Sequence, residues 1–220
     1  MITQKIIQDE YKTIAGIATS HLEVKKSRFI GLATAVDSVK KVSDFLDYAK
    51  TTYPKATHYC YAYSIGLGDK KNERSSDAGE PNNSAGPPIL TAIRSSGLNN
   101  VLCVVVRYYG GIKLGIGGLI RAYGKCAGGC LKNAKISIRV FYQKFRIQTP
   151  YQQIGKVMNL LNRLQCRIID VSYDNDARIL LQIRQGMSET LQEGLKGIGG
   201  ETTLCVEAEN NTSRNEQGGR

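Results

Sequence analysis

The sequence predicts an α+β protein of two domains. Three observations carry this: a βαββαβ run of patterned segments in the last third, a looser alternation of strands and helices before it, and ordinary globular composition, 41% hydrophobic and 22% charged. In the last third, residues 139–149 alternate through Val140, Tyr142, Phe145 and Ile147 as a strand does. Pro150 opens a helical pattern with Ile154, Val157, Met158, Leu161 and Leu164 on one face. Residues 166–173 and 177–184 are strands rich in Ile, Leu and Val, joined by Asp174-Asn175-Asp176, a turn by composition. Residues 187–198 form a second amphipathic helix with Leu191, Leu195 and Ile198 inward. Gly199-Gly200 end it, and residues 202–207 make a last short strand. The order is the split βαβ of a ferredoxin-like domain.

Earlier in the chain, residues 15–36 hold two strands around a turn at Lys25-Lys26, and residues 38–53 a helix with Val39, Val42, Leu46 and Ala49 inward. Residues 59–65 alternate as a strand. The next twenty, 66–85, are Gly, Asp, Asn, Ser and Lys without apolar period, and are expected as a functional loop. Gly86-Pro87-Pro88 start a short helix that Gly97 ends. Val101–Tyr109 is apolar up to Arg107, as a strand buried on both faces would be. The expected domains are 1–138 and 139–208, with a disordered tail at 209–220.

Composition excludes several classes. No run of eighteen apolar residues occurs, and residues 1–14 alternate without the apolar stretch of a signal peptide, so a cytoplasmic protein with no membrane partner is expected. The six cysteines are scattered through apolar runs and read as buried free thiols. Cys126 and Cys130 could supply half a zinc site, but no second pair lies nearby and His21 and His58 are far off in sequence, so no metal is expected.

Charge is the most informative count. The chain carries 30 Lys and Arg against 19 Asp and Glu, a net charge of +11. Between Pro81 and Ile169 lie 13 basic residues and no acidic one, in 89 positions. The rest is slightly acidic, so the whole excess falls in one segment. A surface serving only solubility mixes both signs, and this segment is read as facing a polyanion.

Within it, Gly110, Gly111, Gly115, Gly117 and Gly118 follow the buried strand and lead into a helix. That order can cradle an anion on backbone N–H groups. The nucleotide fingerprints fail: Ile116 stands where a P-loop needs Lys, and Ile120 where the dinucleotide pattern needs Gly, so no cofactor is expected. The alternative use of the glycines is a tight turn with close helix–sheet approach. In the helix at 117–133, Leu119, Tyr123, Cys126 and Cys130 fall within roughly 60° of one another, and Arg121, Lys125 and Lys132 within about 40° on the opposite side. Gly124 and Gly128 leave a smooth strip between. Arg107, Lys113, Arg121, Lys125 and Lys132 are the expected phosphate contacts, with Arg139 and Arg146 extending the path. Five phosphates neutralised correspond to a slope of log K on log salt of about −4.5. An alternative chemistry is available to His58, Asp77, Glu80 and Arg107, which could serve acid–base or phosphodiester chemistry on a phosphorylated substrate if they converge.

The stretch from Gly86 to Gly115, GPPILTAIRSSGLNNVLCVVVRYYGGIKLG, resembles that of the IMPACT family in its bacterial YigZ-type form. AGEPNNSAGPP, the run from His58 to Tyr63 and Ser27-Arg28-Phe29-Ile30 resemble it too, so the likeness spans essentially the whole chain. One departure stands at Asn83-Ser84, where the family has Gly-Thr. Asn is the substitute best suited to a positive φ, so the loop shape is expected to survive. The resemblance implies a first domain with the fold shared by a ribosomal protein and domain IV of elongation factor G, and a ferredoxin-like second domain similar to its domain V. It also ties the chain to translation, whose initiation eukaryotic members regulate through a protein complex, whereas bacterial members have no settled activity. Taken with the acid-free basic segment, the expected function is a non-enzymatic RNA- or ribosome-binding modulator of translation, with an enzyme acting on a phosphorylated substrate or a regulator binding an acidic protein as the alternatives.

Overall fold

The structure is a computed structural model and describes residues 9–66, 71–198 and 203–207. The expected tail at 209–220 and the Gly199-Gly200 helix stop lie outside them. Among the described residues eleven strands and five α-helices follow one another: β1 (Glu10–Ile14), β2 (Ile17–Val24), β3 (Ser27–Ala35), α1 (Val39–Thr52), β4 (His58–Ile65), β5 (Asn72–Ser76), α2 (Gly86–Ser96), β6 (Val101–Tyr108), α3 (Ile116–Lys132), β7 (Ile136–Val140), β8 (Tyr142–Thr149), α4 (Ile154–Arg163), β9 (Arg167–Tyr173), β10 (Ala177–Arg184), α5 (Ser188–Ile198) and β11 (Thr203–Glu207). This is a mixed architecture of helices and antiparallel sheets. No helix among the described residues is long and apolar enough to cross a membrane.

The described residues divide into two units. One is Lys12–Ile138; the other gathers residues 139–198 and 203–207 with residues 9–11. Residues 9–11 group with the later part for visible reasons. The Phe141 N–H donates to the Asp9 carbonyl at 2.7 Å, the Tyr11 and Phe141 rings meet at 4.1 Å, and Arg184 pairs with Glu10 at 2.8 Å.

The larger unit is built on a five-stranded sheet of order β2-β3-β6-β4-β5, antiparallel throughout. β6 is central, and all but its last residue are buried. Its odd-numbered residues Val101, Cys103 and Val105 join one core with Phe29, Ile89, Ile93 and the inner face of α3. Leu102, Val104 and Val106 join another with Leu32, Val42 and Ala49. Helices α2 and α3 thus cover one face and α1 the other, which is why the strand reads as continuously apolar. Ser38 caps α1, its hydroxyl accepting the Lys41 N–H. Lys25 and Lys26, with φ of 46° and 65°, form the primed turn that a two-residue hairpin requires.

Val39, expected inward, is 55% exposed, and of the cysteines expected to be buried Cys205 is exposed and Cys166 only partly buried. The sequence expectation also fails in two segments. Residues 66–85 are not all loop: Asn72–Ser76 pairs with β4 as the edge strand β5. Its residues are polar on both faces, so no apolar period betrays it, and its register is held by the ladder and by Glu73 bonding Arg94 of α2. Residues 139–149 are not one strand either. The chain breaks at Phe141, which is buried against Tyr11, leaving β7 to pair with β1 and β8 to enter another sheet.

The smaller unit runs β8-α4-β9-β10-α5-β11 into an antiparallel sheet of order β11-β8-β10-β9. Phe145, Ile147, Ile179 and Leu181 pack with Val157 and Leu161 of α4 and Leu191 and Leu195 of α5. Gly194 permits that packing, because a Cβ there would stand 2.7 Å from a Leu160 methyl.

Candidate functional site

Arg107 sits near the end of β6, with His58 of β4 and Phe29 of β3 as its direct cross-strand neighbours. Residues opposite one another share a face, so all three point toward α2 and α3. A guanidinium there must be neutralised, and Glu80 does it: Arg107 Nη1 lies 2.7 Å from Glu80 Oε1, with the two side chains 5% and 3% exposed. The Tyr123 hydroxyl of α3 donates to the same oxygen at 2.7 Å. The guanidinium also lies over the rings of Phe29 and Tyr109, each at 5.3 Å, and its Nη2 reaches the Ser27 hydroxyl at 3.2 Å. His58 Nδ1 donates to the Ala78 carbonyl at 2.9 Å, which leaves Nε2 facing Glu80 Oε1 at 3.9 Å. Cys60 completes the group, its thiol donating to the Asp77 carbonyl; burial pushes that thiol up to about 12. Burial also drives the Tyr123 hydroxyl far above its ordinary value, so it stays protonated and keeps the proton it donates to Glu80.

Three of the four residues considered for catalysis therefore meet, and Asp77 does not join them through its carboxylate. Its two oxygens accept the N–H groups of Asn83, Ala85 and Gly86 at 2.8–2.9 Å, capping the start of α2, whose own N-cap position is Ala85. Burial acts to raise this carboxyl, and the backbone donors of Gly86, Ala85, Asn83 and Ser84 outweigh it, holding it below the usual value. Asn83 has φ of 62°, the left-handed conformation in which Asn replaces Gly at least cost. Among the described residues, no three His, Cys, Asp or Glu side chains gather so as to hold a metal ion.

The glycine loop is shaped by close approach. A Cβ on Gly110 would lie 2.1 Å from the Lys26 carbonyl carbon and oxygen, and the Gly110 N–H donates to the Ser27 hydroxyl. Gly111 and Gly115 have φ of 84° and 70°. Gly118 lets Leu114 fold back, since its Cβ would stand 3.1 Å from that of Leu114, and Gly117 borders Arg121.

The cationic residues separate into three groups. Arg107 is 4% exposed and spent on Glu80, so it presents nothing to a phosphate. Lys113, Arg121, Lys125 and Lys132 stand exposed in the larger unit, and no carboxylate among the described residues pairs with them. Arg139 and Arg146 belong to the smaller unit: the first is half-buried, the second exposed and already engaged. Beside the α3 cations runs an open depression of about 380 Å³ between β2 and α3, lined by His21, Leu22, Lys125, Gly128, Lys132 and Asn133 among others. β2 is an edge strand, so its outer side is open there. Nothing lies within 4 Å of where a Gly128 Cβ would be. Sequence reasoning missed Tyr123 as a polar group, placing it only on the apolar face of α3. A buried tyrosine hydroxyl needs a partner, and that requirement was the available signal.

The segment that holds the Glu80–Arg107–Tyr123 cluster and most of α3 is the one that a family model matches. The family model described as the Impact N-terminal domain matches residues 25–131, from the β2–β3 turn to the end of α3. The IMPACT family member YigZ of Escherichia coli is 35% identical over 73% of this chain and 78% of its own length. Protein IMPACT of Rattus norvegicus is 42% identical over 36% of this chain and 25% of its own. A solved structure titled as that of an hypothetical protein superposes with a TM-score of 0.70 at 30% identity, covering 92% of this chain and all of the other. With the same residues carrying the Glu80–Arg107–Tyr123 cluster and most of the α3 face, the chain belongs to the IMPACT family.

Proposed function

We propose that this protein is a non-enzymatic, cytoplasmic regulator of translation that binds RNA, free or within the ribosome, along helix α3. The observation that carries the reading is the cationic face of α3, which no carboxylate among the described residues pairs: Arg121, Lys125 and Lys132 are exposed, and Lys125 and Lys132 border a groove floored by Gly128. A backbone phosphate needs point charges and room to approach: the cations supply the first, with no competing acid among the described residues, and the groove at Gly128 supplies the second. Membership of the IMPACT family, whose resemblance implies a role in translation, supports that role. The element order and sheet order of the smaller unit support a ferredoxin-like fold, and for the larger unit the resemblance to the IMPACT family implies the fold shared by a ribosomal protein and domain IV of elongation factor G.

With Arg107 removed from the contact set, four cations remain in the larger unit. The expected slope of log K on log salt is then about −3.6 for a duplex and about −2.8 for a single strand. Filter binding or anisotropy with ribosomal RNA fragments across a salt series measures it. Binding that ignores salt, or none to RNA or ribosomes at low salt, would sink the proposal.

A further inference from the structure

Helix α3 carries an apolar stripe that is only half covered. At 100° per residue, Ile116, Ile120, Tyr123, Ala127 and Leu131 fall within about 80° of one another. Tyr123, Ala127 and Leu131 are 0–4% exposed and form part of the core, whereas Ile116 is 59% and Ile120 41% exposed. The first two turns thus carry the stripe into solvent. The loop before them adds Tyr109 at 45% and Ile112 at 42%. Four of the twelve exposed large hydrophobics among the described residues therefore lie between positions 109 and 120. Scattered exposed isoleucines need no explanation, but a concentration of this kind marks a contact surface.

The surroundings of the stripe select what covers it. Lys113 and Arg121 are exposed beside it, and the Arg121 guanidinium leans toward the helix start, 3.6 Å from where a Gly117 Cβ would be. The first turn of α3 has no acidic residue and no side-chain cap, so its positive dipole end adds to the same sign. A second copy of this chain would set one cationic rim against another. A nucleic acid would satisfy the cations and leave the isoleucines wet. A helix with apolar residues at i, i+3 or i+4 and i+7, flanked by Asp and Glu, satisfies both.

We propose that the first two turns of α3, with the glycine loop before them, are a docking surface for an acidic amphipathic helix of a partner protein. The surface shares Lys113 and Arg121 with the expected RNA contacts, but its apolar stripe is distinct from the groove at Lys125 and Lys132, and the proposal does not depend on RNA binding.

The test is selection of a phage-displayed library of random peptides, about four helical turns long, on the full chain. The expected peptides carry Leu, Ile, Phe or Met at helical spacing with Asp or Glu beside them. They should lose at least about tenfold in affinity for the double variant Ile116→Ser/Ile120→Ser and weaken with Lys113→Glu. Both isoleucines are exposed, so the double variant should keep its thermal midpoint and its RNA affinity. Failure to enrich such peptides, or equal binding to the double variant, overturns the proposal. So does isoleucine-dependent cosedimentation with vesicles of equal phosphatidylglycerol and phosphatidylcholine in the absence of peptide binding.

Discussion

Arg107 Nη1 and Glu80 Oε1 stand 2.7 Å apart, and neither side chain is more than 5% exposed. This pair joins the centre of the sheet to the loop that leads into α2, and Tyr123 ties α3 to the same oxygen. Breaking a buried pair by removing one partner leaves an uncompensated charge, which costs about 3–5 kcal/mol. Glu80→Gln is therefore expected to lower unfolding stability by roughly that amount in urea titration. Replacing both partners, as Glu80→Leu/Arg107→Met, should recover most of the loss and leave about 1 kcal/mol from the orphaned Tyr123 hydroxyl. A double variant as unstable as the sum of the singles would contradict the pairing.

The carboxylate of Asp77 gives the fold an acid dependence. Its folded-state pKa is depressed, so its contribution is fully present above the unfolded value of about 4 and disappears as pH falls through the lower folded value. Asp77→Asn removes it and, as a lost helix cap, should cost about 0.5–2 kcal/mol near neutral pH. The difference between wild type and variant should shrink below about pH 4. Glu73 is also depressed, so both proteins keep some acid sensitivity and only the difference isolates Asp77. A difference constant with pH would show that the backbone bonds do not favour the ionised form.

Charge counting located the basic segment but not its pairing. It treated Arg107 as one cation among thirteen, whereas an arginine inside a strand buried on both faces has to find a carboxylate. Arg94 likewise is claimed by Glu73 of the edge strand β5. The periodic elements, α3 and the βαββαβ run above all, were legible because one buried face imposes its period on the sequence. β5 was not, since a polar edge strand buries no face, and the break at Phe141 depends on Tyr11 from far away in the chain. Asp77 as a cap was legible in kind, because acids in such loops often serve helix starts; its three donors were not.

A distinction between buried and exposed cations follows. Lys125→Ala should reduce the magnitude of the RNA salt slope by about 0.9 for a duplex, because one phosphate contact is lost. Arg107→Lys keeps the charge but loses the fork geometry, so it should destabilise the fold while leaving the slope of the folded protein unchanged. Equal slope changes in the two variants would place Arg107 at the RNA after all.

Two glycines should respond in opposite ways to the same added methyl. At Gly110 the Cβ would meet the Lys26 carbonyl at 2.1 Å, and backbone cannot step aside as a side-chain end can. Gly110→Ala should therefore destabilise by about 1–3 kcal/mol or more. Gly128 lies inside α3 with nothing within 4 Å of its Cβ position, so alanine there restricts only the unfolded chain and favours the helix. Gly128→Ala is expected to stabilise the protein by about 0.5–1 kcal/mol, read as a raised thermal midpoint. Yet that methyl projects into the depression bordered by Lys125 and Lys132. If a phosphate backbone lies there, the variant binds RNA more weakly than wild type while melting higher, a combination that general damage to the fold cannot produce. A higher midpoint with unchanged affinity would move the bound nucleic acid off this groove.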